Sequence, residues 1–166
     1  MRSAGAVTLQ NGVWLLPQQT AHESFLRGLL EDIRTQAGNG LLLTAQPLAP
    51  TQQEALINQF QAERDREYVE FCERCADFYA EIAKETAKQK FIFAELEEND
   101  DDLKKLTTWL QKIQARDFFT GSRAAEASAA LEQCNAAFQS FSLAVYQHEG
   151  IMFTDDDADT AEMIDE

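Results

Sequence analysis

Three cationic side chains give the sequence its most suggestive spacing. Lys105, Lys112 and Arg116, with Trp109 between them, fall at steps of four, three and four, on the helix face away from Leu103 and Leu110. Lys104 stands beside them, and Lys84, Lys88 and Lys90 form a second small cluster. Ammonium and guanidinium groups so placed can hold an oxyanion, or contact phosphate, through charge-assisted hydrogen bonds. The same pattern also describes the solvated face of a surface helix, which carries its charge opposite the apolar stripe.

A second chemical spacing is the C-x-x-C of Cys72 and Cys75, which in a loop could bind zinc or cycle as a disulfide. Tetrahedral zinc needs two further ligands, and beyond Cys134, His22 and His148 the chain has none of the soft type. All three cysteines also fall on apolar stripes, where cysteine packs as a small hydrophobe, so Cys72 and Cys75 remain weak metal candidates and no metal site is expected. His22 and His148 sit in no nucleophile or zinc-hydrolase motif, and no glycine loop able to cradle phosphate is present. The run Glu95, Glu97, Glu98 and the aspartates after it read as a solvated acidic face. The sequence therefore predicts no catalytic residues, no cofactor and no enzyme.

The elements that must position these groups are mostly helices. After Pro50 there is no further proline, and Gly121 and Gly150 are the only glycines, so long helices are expected as far as about residue 150. One spans about 51–88 with a break near Arg64 and Asp65. Asn99 with Asp100, Asp101 and Asp102 reads as the N-cap and first turn of another, whose stripe is Leu103, Leu106, Leu110 and Ile113. The last, about 122–148, spaces Ala127, Leu131, Cys134, Phe138, Phe141, Val145 and His148 in alternating fours and threes. Phe91 to Ala94 is either a short strand or an apolar plug.

Upstream, Val7 to Pro17 contains two apolar runs broken at Asn11-Gly12, a kinked strand or a tight hairpin. A helix follows from an N-cap at Thr20, with Phe25, Leu29, Leu30 and Ile33 on its stripe, and Leu41 to Ala45 reads as a second strand. The first 49 residues thus form a strand-helix-strand unit, residues 50–150 a helical region packed on it, and 151–166 an acidic disordered tail. The fold class expected is α+β, mainly α.

Composition sets outer limits. Hydrophobic residues at 45% against 26% charged can build a core, which excludes wholesale disorder. A formal charge of −15 repels nucleic acid wherever no local basic cluster intervenes. No apolar run is long enough to span a bilayer, and the odd cysteine count suits a reducing compartment, so a cytoplasmic protein without membrane contact is expected.

Two segments resemble a known family. Gly5-Ala6-Val7-Thr8-Leu9-Gln10-Asn11-Gly12-Val13-Trp14-Leu15-Leu16-Pro17 is similar to the opening of the N-terminal domain of the chromate-resistance regulator ChrB family, and Phe91-Ile92-Phe93-Ala94-Glu95-Leu96-Glu97-Glu98-Asn99, followed by Leu103 and Trp109, looks like a second hallmark. The resemblance covers about residues 3–148. It implies a chromate-responsive transcriptional regulator, a partial ferredoxin-like start followed by helices, and chromate or a similar oxyanion as ligand. Members of the family usually carry one more strand and an Arg- and Lys-rich helix ahead of the Gly-Ala motif, where this sequence has only Arg2. Promoter DNA is thus an expected partner only when that basic helix is supplied. For the oxyanion, Lys105, Lys112 and Arg116 are the expected ligands. The alternative reading is a helical interaction module that takes no small ligand and pairs through an apolar stripe, for instance as a homodimer.

Overall fold

In the computed structural model, which describes residues 1–120 and 123–150, a short 3₁₀ turn leads into β1 (Val7–Gln10) and β2 (Val13–Leu15). Four helices follow: α1 (Thr20–Thr35), α2 (Pro50–Ala87), α3 (Phe93–Gln114) and α4 (Ala124–His148). The class is α+β, mainly α.

The strands pair antiparallel, with Val7 opposite Leu15, Thr8 opposite Trp14, and a bulge before Gln10 meets Val13. Both features foreseen at Asn11-Gly12 are therefore present together, a tight hairpin and an irregularity. Gly12 supplies the turn with a φ of 79°, which side-chain-bearing residues rarely adopt. The second strand expected at Leu41 to Ala45 does not form. These residues carry no strand pairing, and Leu41 and Leu43 are 82% and 73% exposed. β1 instead pairs with β2 in a two-stranded hairpin, and the apolar run joins neither strand.

α2 runs unbroken for 38 residues through Arg64 and Asp65. Nothing there removes a backbone donor, and Arg64, expected at a break, is buried. Its end is set by Gln89 in the left-handed region at φ 52°, with the Lys90 N–H donating to the Glu85 carbonyl at 3.0 Å, which satisfies an orphan carbonyl of the last turn. Phe91 and Ile92 form no strand. α3 begins at Phe93, six residues before the expected cap, because 93–98 contains no breaker and Glu95 suits the positive end of the helix dipole. Asn99 is consequently an interior helix residue, buried, its Nδ2 donating to the Glu95 carbonyl at 2.8 Å. α1 likewise starts at Thr20, with Gln19 in the capping position. α4 begins at Ala124 and buries Ala127, Cys134, Phe141 and Val145 as its spacing predicts. The tail from residue 151 lies outside the described residues.

Contacts divide the chain into two units, and the boundary expected after residue 49 falls inside the first of them. That first unit holds 1–71 and 109–127. Its core is Ala6, Val7, Phe60, Tyr68, Phe71, Leu110, Ile113 and Ala127. Around it, Phe60 meets the rings of Phe118 and Phe119 at 6.3 and 5.3 Å, and Phe71 meets Trp109 edge-on at 5.5 Å. The second unit holds 72–108 and 128–150, with a core of Cys75, Phe78, Ile82, Leu96, Leu103, Leu106, Cys134, Phe141 and Val145.

Candidate functional site

α2 carries an apolar stripe through Phe60, Tyr68 and Phe71, and Arg64 occupies the position on that stripe four residues from both Phe60 and Tyr68. A guanidinium forced into such a place must find a counter-charge. Arg64 finds it in Glu67, one turn on, at 3.4 Å, with its own side chain only 6% exposed.

Arg116 joins the same carboxylate. Its Nη2 donates to Glu67 Oε2 at 2.9 Å, its Nε donates to the Lys112 carbonyl at 2.8 Å, and Nη1 reaches the Arg2 carbonyl at 3.5 Å. The residue therefore covers carbonyls at the C-terminal end of α3 while linking that end to α2 and to the N-terminal turn. Gly5 lets the turn approach closely: with φ at 81°, a Cβ placed there would stand 2.8 Å from the Phe118 ring and 3.0 Å from Arg116 Cβ.

Beside this network Tyr68, fully buried, donates its hydroxyl to Asp117 at 3.0 Å. Burial first, then the Asp117 carboxylate, pushes its phenol well above the usual range, so it stays protonated and a donor. The two guanidiniums share the one Glu67 carboxylate, with the Asp117 carboxylate bonded to Tyr68 beside them.

The expected ligands are distributed as follows. Arg116 and Lys112 belong to the first unit, Arg116 engaged as described and Lys112 exposed with no ion pair among the described residues. Lys105 belongs to the second unit, where its ammonium pairs with Asp102 at 2.8 Å. Lys104 pairs with Asp100 and Asp101, Lys84 with Glu81, and Lys90 with Glu95. Most of the basic surface read from the sequence is thus locally neutralised. Arg64 and Glu67 were missed, although a charged residue at an apolar-stripe position was the available signal.

The second unit contains a different polar centre. Glu85 and Asn99 are both buried, and Asn99 Nδ2 donates to Glu85 Oε2 at 2.7 Å. Burial first, and then a hydrogen bond shared with Glu95, raises the Glu85 carboxyl above its ordinary value. Glu95, held chiefly by Lys90 and then by Glu85, is lowered. The Lys90 ammonium pairs with Glu95 beside this buried carboxyl.

Cys75 and Cys134 lie in this unit's core at 3% and 1% exposure, and Cys72 is half-buried. Among the described residues no group of three or more His, Cys, Asp or Glu converges as metal ligands would. His22 Nδ1 donates to the Pro17 carbonyl at 2.8 Å and the ring packs edge-on against Phe118, while His148 closes α4 near the Phe91 ring. Neither touches a nucleophile. Among the described residues no helix is long and apolar enough to cross a membrane.

The family model described as Protein ChrB, N-terminal, matches residues 1–152. No curated protein and no solved structure matches the chain.

Proposed function

The chain belongs to the family of the ChrB N-terminal domain, a chromate-resistance regulatory family, and from that premise we propose that it is a chromate-responsive domain acting in transcriptional control. Family membership across residues 1–152 is the observation that carries this reading. Chromate is a tetrahedral dianion and is bound by guanidinium and ammonium donors, with Arg116 and Lys112 as the ligands. The end of a helix rich in free carbonyls repels anions, so the cations must outweigh it there. Arg116 already has an anionic partner, and chromate acts by taking the place of Glu67 on its guanidinium. The link from α3 to α2 then loosens, and the response begins. Contact with promoter DNA requires a basic element of the kind that the family resemblance implies, because the acidic surface repels phosphate.

Calorimetric titration with chromate tests the ligand assignment. The double variant Lys112→Ala, Arg116→Ala should bind at least about tenfold more weakly, a loss of roughly 1.4 kcal/mol, at unchanged helix content. Equal affinity in the variant and the parent would remove these residues from the site.

One observation favours a second reading, a helical interaction module. α1 has no buried residue despite the apolar stripe of Phe25, Leu29, Leu30 and Ile33, and Leu41, Leu43 and Leu48 beyond it are strongly exposed. Sedimentation across a wide concentration range discriminates: self-association supports a homodimeric module, and a persistent monomer counts against it.

A further inference from the structure

The two buried thiols of the second unit are paired with each other across two helices. Cys75 sits on α2 and Cys134 on α4, separated by 59 positions in the chain. The Cys134 thiol donates to the Cys75 carbonyl at 3.4 Å, which brings the two buried residues together in the core. Core cysteines that serve only as small hydrophobes have no need to meet, and nothing in the regulatory reading uses this contact.

From this geometry we propose that Cys75 and Cys134 are a redox modification site, which a small two-electron oxidant of the peroxide class converts to a disulfide joining α2 to α4. The two sulfurs are not equivalent. The Cys134 side chain beside it, followed by burial, holds the Cys75 thiol well above its usual range, while the Cys75 side chain lowers Cys134. Cys134 is therefore the attacking sulfur. Its thiolate bonds to one peroxide oxygen, the O–O bond breaks, and the departing hydroxide takes up the released thiol proton as water, leaving Cys134 as a sulfenic acid. The Cys75 sulfur then attacks the Cys134 sulfur, the S–O bond breaks, and the hydroxide leaves as a second water with the Cys75 proton. Two thiols are oxidised and one peroxide is reduced to two waters.

The half-buried Cys72 stands one turn from Cys75 and is the rival partner. The sequence separates the three cysteines cleanly for mapping. Cleavage after Arg66, Arg74, Lys84 and Arg123 places Cys72 in peptide 67–74, Cys75 in 75–84 and Cys134 in 124–166.

The experiment is titration of the intact folded chain with hydrogen peroxide, trapping of residual thiols by alkylation, and non-reducing tryptic mass mapping. The expected result is a loss of two hydrogens from the intact mass, one alkylatable thiol left, and a cross-linked species of 75–84 with 124–166. Thermal denaturation of the oxidised chain should shift upward and return on addition of dithiothreitol. Cys72→Ser should form the same cross-link, and Cys134→Ser should not. A cross-link of 67–74 to 75–84, sulfinic acid at Cys134 without a cross-link, or three thiols still open to alkylation after unfolding would each overturn the proposal.

Discussion

The two units bury polar groups on their helix stripes in opposite ways. In the first, Arg64 keeps its charge and is matched by Glu67, which Arg116 shares. In the second, burial raises the Glu85 carboxyl above its ordinary value while it accepts from Asn99. A guanidinium cannot shed its proton at any accessible pH, so burial of Arg64 demands a counter-ion. A carboxyl can take one up, so burial of Glu85 changes its protonation. The first solution makes stability depend on partners, and the second makes it depend on pH.

The largest expected effect comes from breaking the ionic solution. Arg64→Ala should cost about 3 kcal/mol in a urea titration, since it removes a nearly inaccessible side chain and weakens the hold on Glu67. A loss below about 1 kcal/mol would mean that Arg116 alone satisfies Glu67 and that the network is redundant. Tyr68→Phe, which leaves the ring and deletes only the hydroxyl that donates to Asp117, should cost about 1.5 kcal/mol by the same measurement. An unchanged midpoint would show that Asp117 is equally well served by water.

The neutral solution is tested by pH. Glu85 has a folded pKa above its ordinary 4.5, so the folded state binds the extra proton, and its contribution to stability is complete below that value and lost as pH rises toward the folded pKa. Glu95 is lowered and acts in the opposite sense, contributing above the ordinary value and losing that contribution as pH falls. Glu85→Gln should flatten the decline in stability above pH 4.5, leaving the gain from Glu95. A parent and variant with parallel stability–pH curves would refute a protonated Glu85. Smallest of all, Lys105→Ala should leave the urea midpoint unchanged within error, because its pair with Asp102 is exposed and screened. A measurable loss there would give the surface stripe a structural role it does not show.

The contrast also explains which parts of the molecule were readable from sequence. The helices were, because apolar spacing survives in any context: Ala127, Cys134, Phe141 and Val145 of the α4 stripe are buried, with Leu131 and Phe138 half-buried, and the α3 stripe from Leu103 to Ile113 is buried throughout. Asn99 misled because the same short side chain that caps a helix in isolation can hydrogen-bond a carbonyl one turn back inside it, and the partner that settles the choice, Glu85, lies 14 residues away. The strand at Leu41 to Ala45 misled because a short apolar run becomes a strand only by pairing with another, and no spacing within the run encodes that partner. Of the candidate oxyanion ligands, Arg116 pairs with Glu67, a long-range partner that spacing along α3 does not encode.

That exchangeable partner is the core of the functional account, and its most direct test is DNA binding. The chain, joined to the strand and basic helix that the family resemblance implies, should retain a chromate-efflux promoter fragment at low salt in a gel-retardation titration. Chromate should release it, sulfate should do so more weakly, and Arg116→Ala should abolish the release. Retention that is indifferent to chromate in the parent chain would contradict a chromate-responsive regulator.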